Sequence, residues 1–178
     1  PRAGTFMYHS HFNEFRQITS GLYAPLVVLE PGQKFDPETD RILLFSDGGP
    51  TRNVIAGPFP PVLLNGQAKP APIELRAGVA YRFRVIGITG DLPNSLAITR
   101  GDTPIEWRAV AKDGADLPPH QAVVRPARLV FDPGEIFDFQ YTPSAAGEMT
   151  LTYGPPPALK VPGSTLTSVP VRIRARLQ

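Results

Sequence analysis

Two of the three histidines in this 178-residue chain, His9 and His11, stand one residue apart inside an apolar, aromatic run, Thr5–Phe12. The run reads as a strand. Alternation along a strand puts both imidazoles on one face, with backbones roughly 7 Å apart, and turns Tyr8, Ser10 and Phe12 to the other. Neutral imidazoles held by a rigid strand are good ligands for Cu, Zn or Fe. The spacing does not decide whether both hold one metal or each holds one of two neighbours. His-x-His is also a short pattern that ordinary, partly exposed strand residues make. Little else in the sequence can do chemistry. The chain has no Cys, which excludes disulfides, thiolate metal sites and cysteine nucleophiles. No Ser/His/Asp constellation, phosphate loop or close carboxylate pair stands out, so no catalytic residue is assigned. The third histidine, His120, follows two prolines and reads as an exposed loop residue.

The histidine pair needs elements to hold it. The 22 Pro and 16 Gly are spread along the length and argue against long helices, since each Pro removes a backbone donor. Hydrophobic residues make up 42%, enough for a core, and the expected class is all-β. After Thr5–Phe12 and Tyr23–Leu29, apolar runs recur between Gly/Pro/Asp turns. They are Ile42–Phe45, Val62–Leu64, Ala80–Ile88, Ile105–Ala111, Arg128–Phe131, Ile136–Tyr141, Met149–Tyr153 and Ser168–Leu177. Strands at this spacing predict a Greek-key sandwich or barrel, with no helix. In one of them Phe137, Phe139 and Tyr141 face one way, Asp138 and Gln140 the other. Trp107 reads as a core anchor, and Asp113-Gly114 and Gly66 as turns.

Charge excludes further classes. The 18 basic and 16 acidic residues give a net charge of +2, with no basic patch interleaved with stacking aromatics, so no nucleic-acid partner is expected. The basic run "VRIRAR" alternates Val171, Ile173 and Ala175 with Arg172, Arg174 and Arg176, which is a half-buried strand with a solvated face. No apolar run approaches the ~20 residues of a membrane span.

From about Asp36 onward the strands suffice to close one sandwich, whereas the two before the turn-rich "EPGQKFDPETD" (Glu30–Asp40) are too few to bury a core. The expected division is 1–35, the last strands of a truncated domain plus a linker, and 36–178, one complete domain. The first two strands then lack sheet neighbours and are expected to pair with another chain or to dock on the second unit.

The stretch "GTFMYHSH…GLYAPLVV" closely resembles the end of the first cupredoxin domain of the laccase-like multicopper oxidases. "VLLNGQ", "IELRAGVAYRFRVI", "WRAVAKDGADLP", "GEIFDFQYTP" and "VPVRIRA" resemble that family's second cupredoxin domain in order and spacing. The resemblance implies a cupredoxin-like fold. It also implies copper at His9 and His11, one imidazole to each copper of a type 3 pair, which with a type 2 copper forms the trinuclear centre that reduces dioxygen to water. Electrons would come through a type 1 copper from phenols, aromatic amines or metal ions, and the family implies a secreted or periplasmic setting. Met7 stands where an aromatic residue is usual, and Ala24 where Gly is frequent. The loop from His11 to Gly21 is about two residues longer than the common form, so Gln17 matches the family's Gln only across an insertion.

The larger departure is that the family's other ligand motifs, His-x-His-Gly and the His-Cys-His that ties type 1 copper to the trinuclear centre, are not in this chain. The expectation is a fragment inactive by itself, whose partners are the remaining cupredoxin domains, O2 and a reducing substrate. Two other readings remain. One is a non-catalytic binding or structural module with a single weak metal site at the histidine pair. The other is a homo-oligomer, joined through the unpaired N-terminal strands, in which partner chains supply the missing ligands.

Overall fold

The computed structural model describes residues 2–48, 61–90, 92–159 and 166–175. In chain order they form β1 (Gly4–His9), α1 (Glu14–Thr19), β2 (Tyr23–Val28), β3 (Asp40–Asp47), β4 (Val62–Leu64), β5 (Ile73–Arg76), β6 (Tyr81–Ile88), β7 (Asn94–Arg100) and β8 (Thr103–Pro104). They continue as β9 (Glu106–Lys112), β10 (Ala115–Asp116), β11 (Val124–Pro126), β12 (Arg128–Phe131), β13 (Ile136–Tyr141), β14 (Gly147–Gly154) and β15 (Thr167–Arg174). One sheet runs β10-β9-β13-β6-β3-β4 with β11 added on β9; the other runs β12-β7-β14-β15-β5 with β8 added on β7. β3 lies parallel to β6 and β15 parallel to β5, and the other pairings are antiparallel. Neighbours so far apart in sequence are the crossovers of a Greek-key, cupredoxin-like sandwich, as expected.

The core between the sheets is built by period-2 alternation. Val169, Val171 and Ile173 of β15 are buried while Ser168, Arg172 and Arg174 are not. Ala175 is exposed, and Arg176 lies outside the described residues. Trp107 anchors the core as expected, stacked on Phe139 with ring centroids 3.9 Å apart and planes 4° apart. Burial of large aromatic rings of this kind is worth roughly 2–3 kcal/mol each. Asn65-Gly66 and Asp113-Gly114 each carry two successive positive φ angles, 50° and 76°, then 48° and 73°. Those are the angles of the tight turn that suits the right-handed twist of a hairpin, so both turn expectations hold.

Two expectations need correction. The strand expected over Thr5–Phe12 ends at His9, where pairing with β2 stops at His9↔Tyr23. A helix, α1, follows where none was expected. It is only six residues long, too short to show a helical period, and Asn13 enters it at φ 46°. β3, β9 and β14 run past the expected ends, β2 and β15 stop short of them, and β5, β7, β8, β10 and β11 are additional to the expected runs.

The N-terminal strands pair with each other, Gly4↔Val28 through His9↔Tyr23, and the resulting hairpin docks on the outer face of the β3-β6-β13 sheet. Both apolar and polar contacts hold it, among them a bond from Arg2 Nη2 to the Asp113 carbonyl at 3.0 Å. Met7 and Tyr23 pack on a second apolar cluster made of Ile18 of α1 with Leu44, Ile86, Ile88 and Ile136 of the sheet. Phe6 lies against the Asp113-Gly114 turn, where a Cβ on Gly114 would stand 2.2 Å from the Phe6 ring. Thr5, with no exposed surface, donates its hydroxyl to Asp138 Oδ2 at 2.8 Å and accepts from Arg84 Nη1 at 2.7 Å. Asp138 does face away from Phe139, as alternation predicts, yet it is 1% exposed because the hairpin covers that face.

Charges brace the turn beneath Phe6. Lys112 Nζ reaches Asp113 at 2.7 Å and Glu135 at 2.8 Å, and Glu135 also accepts from the Asp132 N–H at 2.9 Å. Burial alone would favour the neutral forms. The contacts outweigh it, raising Lys112 and lowering Glu135 from its ordinary 4.5. A carboxyl lowered by folding contributes stability that is present above its unfolded value and lost as pH falls through 4.5 toward the folded one. The loss of unfolding free energy between pH 6 and pH 3 should therefore be smaller in Glu135→Gln than in wild type, read from urea titrations at each pH. A second test separates strain from contact. Gly101 has φ 58° with open space around it, so Gly101→Ala should cost about 1–2 kcal/mol of backbone strain. Gly114→Ala adds overpacking against Phe6 and should cost about 2–5 kcal/mol by urea denaturation; equal losses would mean the Phe6 contact is not made.

Candidate metal centre

Alternation along β1 places Thr5, Met7 and His9 on the face that meets the sandwich. Thr5 is buried and Met7 half-buried against it, and His9 comes last, beside its cross-strand partner Tyr23. The Tyr23 hydroxyl donates to Ser46 Oγ at 2.6 Å, which fixes the ring flanking His9 to β3. His11 is not on the strand. It stands in the loop between β1 and α1, with its side chain 79% exposed, so strand alternation is not what aligns the two imidazoles. They nonetheless come together, with ring centroids 4.5 Å apart and planes inclined by 37°.

The loop does this through its own hydrogen bonds. Ser10 Oγ accepts from the Phe12 N–H at 3.1 Å and bonds to Gln17 Oε1 of α1. Gln17 in turn accepts at its backbone carbonyl from Leu22 N–H at 2.9 Å, which leads the chain into β2. Gln17 is thus tied to the His-Ser-His segment even though the connecting loop is long. Ser10 turns back into this small network, which folds the two histidines to the same side.

The ring nitrogens are differentiated. His9 Nδ1 lies 3.0 Å from the Ser10 carbonyl oxygen, which can only accept, so Nδ1 carries the proton. His11 Nδ1 lies 2.8 Å from the Glu14 carboxylate in the first turn of α1 and donates in the same sense. In the neutral rings each Nε2 is then an unprotonated lone-pair donor. A metal-binding histidine commonly has its other ring nitrogen held by a carbonyl or carboxylate in this way, which fixes the tautomer and raises ligand basicity. The donor set suits a borderline metal such as copper, but only in part. Among the described residues no group of three or more His, Cys, Asp or Glu is placed to hold a metal ion. His120 lies in the turn after β10, an exposed loop residue as expected, touching Gln121. Glu14 is the member of this arrangement that composition and strand reasoning missed; its sequence signal is an acid three residues after His11, at a helix start.

No family model matches the chain. It is similar to Laccase-2 of Fomitopsis schrenkii, 36% identical over 103 residues that cover 49% of this chain and 19% of that protein. It is likewise similar to a laccase of Phlebia radiata, 32% identical over 108 residues, covering 51% of this chain and 20% of that protein. Among solved structures, the Blue Copper Oxidase from Nitrosomonas europaea superposes with a TM-score of 0.74 at 21% identity, covering 97% of this chain and 57% of that one. The hairpin and sandwich together therefore have the fold of the multicopper oxidases. The sequence likeness is to laccases, and the chain spans about a fifth of the length of the laccases it matches. No helix among the described residues is long and apolar enough to cross a membrane.

The tautomers can be tested directly. Nitrogen-15 long-range correlation spectra at pH 8 should show His9 and His11 both protonated at Nδ1. Glu14→Gln should shift His11 toward a mixture of tautomers and leave His9 unchanged. A wild-type spectrum with either ring protonated at Nε2 would contradict the arrangement.

Proposed function

We propose that this chain is the part of a laccase-like multicopper oxidase in which His9 and His11 each bind one copper of a type 3 pair through Nε2. The observation that carries the reading is the pair itself: two adjacent imidazoles with both Nδ1 atoms engaged and both Nε2 atoms available. Copper at such a centre supplies the one-electron steps that couple oxidation of phenols, aromatic amines or metal ions to reduction of O2 to water. The chain's own residues hold the two ligands. The Ser10 carbonyl and the Glu14 carboxylate keep the Nδ1 protons in place, and Tyr23 and Met7 seat the hairpin on the sandwich.

The ligand set is incomplete here. The chain has no Cys and therefore no type 1 site, and the remaining ligands belong to other cupredoxin domains of the parent. Residues 1–35 form the end of one such domain with its linker, and residues 36–178 form the next. In support, four exposed large apolar side chains, Tyr8, Phe12, Leu22 and Leu26, lie on the β1-α1-β2 unit, the surface that a preceding domain would cover. The setting that fits this family is secreted or periplasmic.

The purified chain should bind about one Cu(II) by isothermal titration, weakly, and lose it in His9→Ala and in His11→Ala. With copper added it should not oxidise a phenolic substrate or consume O2. Tight binding of several coppers that depends on an oligomer would favour a site shared between chains. Copper binding unchanged by both His substitutions would overturn the reading.

A further inference from the structure

The geometry points to Thr5 as a positioning residue that sets the register and tilt of β1 on the sandwich and thereby holds the histidine pair in its metal-binding arrangement. The role in metal binding rests on the proposed copper reading, whereas the role in anchoring the hairpin does not.

A two-stranded hairpin is marginal in water by itself, so β1 and β2 take their order from what they dock on. Two of the docking contacts are apolar: the cluster around Met7 and Tyr23, and the Phe6 ring against Gly114. Apolar burial is non-directional and tolerates sliding. Of the directional contacts, Tyr23 to Ser46 holds β2 and Arg2 to the Asp113 carbonyl is exposed, so the buried directional contact made by β1 itself is that of Thr5, directional on both sides of one oxygen. Thr5 Oγ1 donates to Asp138 Oδ2 at 2.8 Å and accepts from Arg84 Nη1 at 2.7 Å, all three residues being at least 95% buried. A hydroxyl has one proton, and its short reach permits only one placement of the β1 backbone that satisfies both partners. A slip of one residue would take Thr5 out of this site and turn His9 to the opposite face, because strand side chains alternate. Thr5 therefore fixes the phase of the strand four residues before His9, without touching either imidazole.

The substitution that isolates this role is Thr5→Val, which keeps the shape and removes the hydroxyl; Thr5→Ser restores the hydroxyl and loses a methyl. Both are made in the full 178-residue chain and studied by amide hydrogen exchange and by Cu(II) titration with electron paramagnetic resonance detection. In Thr5→Val the β1 and β2 amides should exchange at least about tenfold faster, with those at the β6–β13 pairing unchanged. Its Cu(II) dissociation constant should rise about tenfold with an altered hyperfine pattern, and Thr5→Ser should return both readouts toward wild type. Wild-type exchange in Thr5→Val, or a Ser variant that behaves like Val, would overturn the assignment. Faster exchange with unchanged copper binding would also overturn the positioning role. If the wild-type chain binds no more Cu(II) than a variant lacking both histidines, the copper reading fails by itself, and the exchange result alone decides whether Thr5 anchors the hairpin.

Discussion

The structure depends on one buried carboxylate. Asp138 sits on β13 among apolar residues, and a lone charge there would cost several kcal/mol of lost hydration. It is retained because a single oxygen, Oδ2, gathers Arg82 Nε at 2.7 Å, Arg84 Nη1 at 3.1 Å and the Thr5 hydroxyl at 2.8 Å. Arg84 is its cross-strand partner on β6, equally shielded from solvent, and must itself be satisfied. Its remaining guanidinium nitrogens reach Asp40 at the start of β3, at 2.8 and 2.5 Å. The network thus spans β13, β6, β3 and β1. A partly satisfied version would be worse than an apolar one, so its members are mutually dependent.

That dependence explains how a short hairpin without a core of its own stays attached. The polar network covers one end of the contact. The Ile18, Leu44, Ile86, Ile88 and Ile136 cluster covers the other, with Met7 and Tyr23 between β1, β2 and the sheet. The sheet face that carries both would otherwise be an exposed patch of apolar residues beside a charge cluster lacking its Thr5 partner. The Asp113-Gly114 turn closes the third side. It is a conventional hairpin turn by its φ angles, but its glycine is needed twice: for the positive φ and for the space that the Phe6 ring occupies.

Much of this was legible in the sequence, for identifiable reasons. β4, β12 and β13 were bounded correctly because their apolar runs are framed by Pro, Gly and Asp. β7 was missed although Asn94, Leu96 and Ile98 alternate inward, because its inward set begins with a polar residue and its outward set, Ser95, Ala97 and Thr99, is not charged. The contrast between its faces is therefore weak, and only its pairing with β12 and β14 makes it a strand. Alternation placed Asp138 opposite Phe139 but could not say that a hairpin more than 100 residues earlier would cover it. Long-range burial of a charge leaves no local trace.

The histidine pair shows the same limit in a smaller compass. Strand reasoning put His9 and His11 on one face, and the rings are indeed adjacent, but the cause is different. β1 ends at His9, Asn13 turns the chain at a positive φ, and the six-residue α1 brings Glu14 and Gln17 back to His11 and Ser10. A continuous strand would have left both Nδ1 atoms to solvent and both tautomers populated. The loop instead gives each Nδ1 an acceptor, the carbonyl of the next residue for His9 and a carboxylate three residues on for His11, and so leaves each Nε2 as the free lone pair. What matters for chemistry at this site is therefore the break in the strand, which assigns the protons, rather than the strand, which only brings the first imidazole to the edge.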